Sequence, residues 1–389
     1  MVELIENIMK SLSRISIGQF DRWVIVLWGL SLIILFVVLK QRFKIGNLKL
    51  LSDLNCFNEK GPSVIETENY IELGNINVNG LERSYWKDKF EILESIFNRK
   101  FIDVKIVSAP KIKVCLFFYE LPSILPFEKI PKLAKMHIWL GVNQYGDDVV
   151  VNLQKSPAIY VDGKPGSGKT IAIQSILESW LRSTSRDAEV LIVTTKPADY
   201  FHYRNKSGYN ISVIDPFDGD FEEKIDEILL HFKGIKELEQ SFKKETEKLE
   251  KIDLLNFNLE SLREQGICAT YKRKFFIFDE AKDYLAKEKS DSKELSIKKQ
   301  ELVSVVHTHI RRTARFLSMP IIVASQTQNE SDLDIPIKAF HLRLASNTNE
   351  AMSRIIAGDK TLTDLSFNSG KFFLKTEKEE HILKVPIIF

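Results

Sequence analysis

Residues 163–170 read GKPGSGKT, a full match to the pattern G-x-x-x-x-G-K-S/T that encloses phosphate groups. Gly163, Gly166 and Gly168 admit backbone conformations closed to larger residues. Around Lys164, Pro165 and Ser167, successive N–H groups can therefore turn inward toward phosphate oxygens at the positive end of a helix. Lys169 would neutralise charge on the β- and γ-phosphates, and Thr170 would offer its hydroxyl to a Mg²⁺ ion bridging them. ATP with Mg²⁺ is the ligand pair this implies. A plain glycine-rich turn is the competing explanation. The flanks oppose it, because the strand-like AIYV precedes the loop and the helix-like IAIQSILESWL follows it.

Hydrolysis of a bound triphosphate also needs carboxylates at a neighbouring strand end. Lys274 to Phe278 (KFFIF) is apolar after its first residue, as a strand buried on both faces should be, and Asp279 and Glu280 follow at its carboxyl end. Asp279 would hold Mg²⁺ through a water, and Glu280 is the candidate general base toward the attacking water. Ile321 to Gln326 (IIVASQ) is a further apolar strand ending in an amide. If its strand lies beside that of Asp279, Gln326 would sense or polarise the γ-phosphate. His307 and His309 project to different sides of a helix, a poor geometry for zinc, so no metal beyond the nucleotide's Mg²⁺ is expected.

These groups need a scaffold, and its type is readable from the pattern around them. Short apolar runs alternate with longer helical patterns from SPAIYVDG through EVLIVTT and KFFIFDE to PIIVASQ, which implies an α/β fold with a mostly parallel sheet and helices on both faces. Ile225, Ile228, Leu229, Phe232, Ile235 and Leu238 give the charged stretch Phe221 to Lys251 one apolar helical face. Lys287 to Lys299 reads as a polar loop or helix start, with a polyanion contact as one possible use. Residues 45–135 mix a helical stretch (Trp86 to Ile96) with strand-like DVKIVSAPKIKVCLFFYEL, a small α+β adaptor domain. Pro122, Pro126 and Pro131 place its boundary near Lys135, with the nucleotide-binding domain over 136–389.

Upstream of both, Trp23 to Leu39 is an uncharged apolar run near the lower length limit for a transmembrane helix, assigned to 23–40 after an N-terminal segment 1–22. Lys40, Arg42 and Lys44 then mark a cytoplasmic flank, so the expectation is a single-pass protein of the cytoplasmic membrane with its nucleotide domain in the cytoplasm. A cleaved signal peptide is the competitor, opposed by the length of the run and the lack of a small-residue cleavage site. The 389 residues include 44% hydrophobic and 28% charged residues, which excludes a disordered or collagen-like chain. Fifty-five lysines and arginines against 53 aspartates and glutamates give +2, so any nucleic-acid contact must be local. Three cysteines, Cys56, Cys115 and Cys268, form neither a metal motif nor a disulfide framework, which suits a reducing compartment.

From about Ile138 to the carboxyl terminus the chain resembles the FtsK/SpoIIIE motor ATPases of the FtsK–HerA superfamily, together with the conjugative coupling ATPases. The segments are IWLGVNQYGDDVVVNLQKSPAIYVDGKPGSGKT, FFIFDEAKDYL, ARFLSMPIIVASQTQ and FHLRLASNTNEAMSRIIAG, in that order. The resemblance implies a RecA-like motor domain acting as a homo-hexameric ring, which threads a polymer through its pore by hydrolysing ATP between subunits. It also implies that Arg343 acts as an arginine finger toward a neighbouring subunit, with Arg315 and Arg354 as weaker candidates. TTKPADY replaces the family's Asp-Pro-Lys after the second strand, leaving the role of Thr195 and Lys196 open. With a single span and one motor, the chain looks most like a membrane-anchored coupling ATPase delivering DNA to a transfer or secretion apparatus. Ile310 to Arg315 (IRRTAR) is a candidate DNA contact. A polypeptide-export motor and an ATP-dependent docking switch are the alternatives.

Overall fold

The computed structural model describes residues 51–388 except 55, 68, 78–79, 81–82, 102, 108–111, 118–119, 185–187, 248–258, 265–270, 327–332, 359–360, 365–369 and 378. The expected span Trp23 to Leu39 lies outside the described residues. Among the described residues no helix is long and apolar enough to cross a membrane. The chain divides between residues 119 and 120 into two compact units, each described by itself below.

The first unit carries strands β1 (Ser63–Glu66), β2 (Tyr70–Gly74), β3 (Asp103–Val107) and β4 (Lys113–Phe117). They pair antiparallel in the order β1-β2-β4-β3. Ile71 and Leu73 of β2, and Val114 and Leu116 of β4, alternate onto one face and join a core with Trp86, Leu93 and Ile96. The helix expected over Trp86 to Ile96 is broken into Arg83–Lys87 and Phe90–Phe97. Trp86 explains the break: it is fully buried, and its indole N–H donates to the Gly80 carbonyl at 2.8 Å, which anchors the first piece separately.

The second unit is built on a ten-stranded sheet, and its start corrects the boundary expected near Lys135. Residues 125–127 pair with the chain's end instead of linking two domains. The Phe127 N–H donates to the Ile387 carbonyl at 3.0 Å and the Ile387 N–H to Leu125 at 2.8 Å, while Leu125 and Phe127 pack on Trp139. Prolines along this stretch shape an ordered edge rather than mark a joint.

The sheet strands are β5 (His137–Asn143), β6 (Asp148–Asn152), β7 (Ala158–Asp162), β8 (Glu189–Val193), β9 (Asn210–Ile214), β10 (Lys274–Phe278), β11 (Ile321–Ser325), β12 (Leu342–Ala345), β13 (Lys371–Lys375) and β14 (Glu380–Lys384), in the order β6-β5-β14-β13-β12-β7-β11-β10-β8-β9. Strands β12 through β9 in that order pair parallel, and β6 through β13 extend the sheet with antiparallel pairs. Every residue of β7 and β11 is buried, as a central parallel strand covered on both faces requires. Alternate residues of β7 feed opposite cores: Ile159 and Val161 pack with the helix Lys169–Ser183, and Ala158 and Tyr160 with Phe221–Glu247 and Lys293–Thr308. Gly141 in the β5–β6 hairpin has φ +123°, and a side chain there would begin 1.9 Å from the Lys384 carbonyl oxygen, so glycine is needed for β14 to pair with β5.

The charged stretch from Phe221 forms one long helix to Glu247, with Ile225, Ile228, Phe232 and Ile235 buried. Lys293–Thr308 is a helix capped by Ser292, whose hydroxyl accepts the Leu295 N–H at 3.0 Å. Lys299 within it is not a polyanion contact. It is 3% exposed, and its ammonium donates to Asp291 at 3.0 Å and to the Ala286 carbonyl at 3.1 Å.

Candidate nucleotide site

Strand register brings the site together. Asp162 at the end of β7 lies level with Ser325 of β11, while Phe278 of β10 lies level with Val323 on one side and Val193 of β8 on the other. The residues that follow these strands, Gly163 onward, Gln326, Asp279 with Glu280, and Thr194 to Lys196, therefore emerge at one edge of the sheet. This is the carboxyl edge, where open α/β sheets bind ligands.

After β7 the loop turns through Gly166 (φ +78°) and Gly168 (φ +92°), and Gly168 is the left-handed residue from which the helix Lys169–Ser183 starts. The N–H groups of that first turn have no partner further back in the helix, which makes its start an anion-binding end. Gly163 is required for a different reason. A Cβ there would sit 2.4 Å from the Ser167 hydroxyl and 3.3 Å from the Ser346 Cβ. Lys164 reaches outward and donates to the Asn347 side-chain oxygen at 3.1 Å. Lys164, Gly166, Lys169 and Thr170 line one cavity with Lys196, Glu280 and Gln326.

Glu280 is the hub of that cavity. Its Oε2 accepts from the Lys169 ammonium at 2.6 Å, and its Oε1 accepts from Lys196 at 2.5 Å and from the Gln326 amide at 3.0 Å. Burial pushes its carboxyl up, and the hydrogen bonds from Lys169 and Lys196 outweigh that and hold it below the usual glutamate range. The backbone of Glu280 is left-handed at φ +52°, a conformation costing on the order of 1 kcal/mol for a non-glycine residue. The three side-chain contacts and its own N–H, which donates to Asp279 Oδ1 at 3.0 Å, hold it there.

Asp279 is fully buried, accepts the Tyr200 hydroxyl at 2.9 Å on Oδ2, and has Lys169 3.7 Å from Oδ1. Burial dominates here, so its carboxyl titrates above the usual aspartate range despite the Lys169 charge. Burial also drives the Tyr200 hydroxyl well above its ordinary pKa, so it stays a donor. Asp279 and Thr170 are hard oxygen ligands of the kind Mg²⁺ takes, and the dry carboxylate gains from a cation.

Lys169, Asp279, Glu280 and Gln326 thus meet, whereas Arg343 stands apart from them. Arg343 lies on β12 level with Tyr160 rather than with Asp162, so its side chain shares the sheet face opposite the phosphate-loop helix. It is half-buried, its Nε has no hydrogen-bond partner, and burial lowers its pKa against the pull of Glu380. Arg354 pairs with Glu350 at 2.7 Å on its own helix, and Arg315 is exposed. His309 is a core residue between the Thr313 hydroxyl and the Met319 carbonyl. Burial lowers its pKa to about 4, and among the described residues no metal-binding group of three ligands occurs.

Sequence reasoning left the TTKPADY segment without a role, and the structure gives its side chains partners on the acidic strand end. The Thr195 hydroxyl donates to Asp283 at 3.4 Å, Lys196 to Glu280, and Tyr200 to Asp279. The available signal was a lysine just past an apolar strand. Its target depended on β8 lying next to β10.

Sheet order, phosphate loop and acidic strand end define an α/β phosphate-loop fold with a mostly parallel sheet. The chain is similar to the conjugation coupling protein TcpA of pCW3, in its monomer form with ATPγS, at 17% identity and a TM-score of 0.54, covering 89% of this chain and 95% of that one. It is also similar to the cytoplasmic domain of the type VII secretion ATPase EccC of Thermomonospora curvata. That match has 18% identity and a TM-score of 0.48 over 66% of this chain and 29% of that chain. ATPases 2 and 3 of EssC from Geobacillus thermodenitrificans match at 14% identity and a TM-score of 0.45, over 84% of this chain and 55% of that chain. No family model matches the chain, and no curated protein sequence matches it.

Proposed function

We propose that the chain is an ATP-hydrolysing motor that moves DNA for transfer or secretion. The observation that carries the hydrolytic part is the Glu280 carboxylate in the same cavity as the phosphate loop. A loop that only bound nucleotide would need no buried acid beside it. In this reading the loop N–H groups and Lys169 take the β- and γ-phosphates of the substrate ATP, and Glu280 accepts a proton from the attacking water. Gln326 steadies the carboxylate and the γ-phosphate. Mg²⁺ held by Thr170 and Asp279 would supply charge neutralisation on those phosphates.

The cargo assignment draws support from the fold shared with a conjugation coupling protein along most of both chains. Arg311 and Arg312 within the π-helical turn His309–Thr313, and Arg315 just after it, add exposed positive groups, and Arg312 is already paired with Glu239 at 2.9 Å. A homo-hexameric ring with Arg343 acting across the subunit boundary, and an anchor at Trp23 to Leu39 with the motor in the cytoplasm, complete the proposal.

ATP turnover by the full chain in detergent, with and without single-stranded and duplex DNA at low salt, tests it. The expected result is stimulation by at least one form of DNA, fading as salt rises because phosphate contacts release counterions. Turnover indifferent to both, with no DNA binding at low salt, would sink the DNA assignment and favour a polypeptide cargo or a docking switch.

A further inference from the structure

The phosphate loop is fastened by backbone groups from the far end of the chain. The Ser167 carbonyl accepts the Gly370 N–H at 2.9 Å, and the Gly370 carbonyl in turn accepts the Val385 N–H at 2.9 Å. Gly370 is buried just before β13 and has φ +78°, a turn that glycine makes without strain. The helix that follows the loop is tied to the same stretch of chain. Ser175, fully buried, donates its hydroxyl to the Pro386 carbonyl at 2.5 Å, and Val385 packs in one core with Ala172, Ile173 and Ile176. Residues 385–386 therefore hold the loop through Gly370 and its helix through Ser175.

What the Gly370 bond does to the loop follows from the planarity of the peptide unit. In a trans peptide the carbonyl of one residue and the N–H of the next point in opposite directions. A donor that fixes the Ser167 carbonyl therefore fixes the Gly168 N–H, and turns it away from Gly370. Gly168 lines the nucleotide cavity with Lys169 and Thr170, a cavity to which Gly370 does not contribute.

We propose that Gly370 is a positioning residue for the phosphate loop: its N–H, by holding the Ser167 carbonyl, aims the Gly168 N–H at the phosphates of the nucleotide. Because the same glycine is held by the end of β14, the donor is oriented before a ligand arrives, and binding need not offset the entropy of ordering it. This inference rests on the nucleotide-binding part of the reading above. It adds to the site a residue that lies outside the phosphate-loop pattern, which ends at Thr170.

The test deletes the one donor. Glycolic acid incorporated at position 370 of the full chain replaces the N–H by an ester oxygen and leaves the chain's path unchanged. ATPγS affinity, read by calorimetry, is expected to fall about tenfold, the effect of one misdirected hydrogen bond to a charged group. KM for ATP should rise by the same factor with kcat within about twofold, because a contact made equally in the bound and transition states acts on KM alone. If instead the melting temperature without nucleotide and kcat both fall while KM and ATPγS affinity match the parent's, the bond is only structural and the proposal is overturned.

A pair of glycine substitutions separates the bond from backbone strain. Gly370→Ala should weaken ATPγS binding as the ester does, since its φ resists a side chain and a Cβ there would sit 3.1 Å from the Lys384 ammonium. Gly358→Ala is the matched control. It lies in the same connection between β12 and β13 at φ +96°, and a Cβ there would have only the Lys375 ammonium, 3.9 Å away, within 4 Å. ATPγS affinity unchanged in Gly358→Ala is the expected result. An equal loss in both variants overturns the proposal, because strain anywhere in that connection would then suffice. A parent that binds ATPγS more tightly than its ester form but never hydrolyses ATP would retire the hydrolytic reading while keeping the role of Gly370. A parent that binds no ATPγS would overturn both.

Discussion

The phosphate loop has two flanks of opposite character. On the side of β11, β10 and β8 it faces charge: Lys169, Lys196, Asp279 and Glu280 lie in one bonded cluster with Gln326 and Tyr200. On the side of β12 it faces neutral groups. The Ser346 N–H donates to the Asp162 carbonyl at 3.0 Å, Asn347 accepts from Lys164, and the Ser167 and Ser346 hydroxyls are buried with no hydrogen-bond partner. The contrast separates two tasks on one loop. One flank carries ionisable groups whose proton affinity is set by burial and by one another. The other holds the backbone shape by close approach, and its groups do not change charge.

Substitutions that break this contrast should differ in what they spoil. Glu280→Gln on the charged flank should lower turnover by about 100- to 1,000-fold with nucleotide affinity kept, read by single-turnover hydrolysis against ATPγS binding. Equal turnover in Glu280→Gln and the parent would remove Glu280 from the base role. Lys169→Ala should weaken ATPγS binding by about 100-fold, from the ~3 kcal/mol upper range of a charged hydrogen bond.

On the neutral flank the effects are steric and smaller. Gly163→Ala must push Ser167 aside and should weaken nucleotide binding about tenfold without moving the pH profile, whereas Gly166→Ala meets no atom within 4 Å and costs only its left-handed backbone, about 1 kcal/mol. A shifted pH profile in Gly163→Ala would mean that the flanks are not separate. Asn347→Ala should change affinity by about twofold or less, since its bond to Lys164 is solvent-exposed.

The parts of the site that are contiguous in the chain were legible beforehand. Gly163 to Thr170 is a strand, a loop and a helix start in one run, and Phe275 to Glu280 is a buried strand with its acids attached. Both carry their meaning locally, because apolar runs demand burial and glycines mark the turns. The proline-bearing stretch before Met136 misled for the same reason. Its local pattern is that of a linker, and only the pairing of residues 125–127 with Ile387, at the far end of the chain, makes it part of the second unit. Lys299 misled similarly: a lysine in a run of charges reads as solvated, but the loop carrying Asp291 folds over it.

Residue types and short-range periodicity therefore determined which elements form and which of them end in reactive groups. Strand order decided the rest. Because β8 lies against β10 and β11 against β7, Lys196, Glu280, Gln326 and Lys169, scattered from position 169 to 326, become one hydrogen-bonded cluster. Hydrogen bonds act over about 3 Å and are indifferent to separation along the chain, so the partners of Glu280 became visible only when the sheet was assembled.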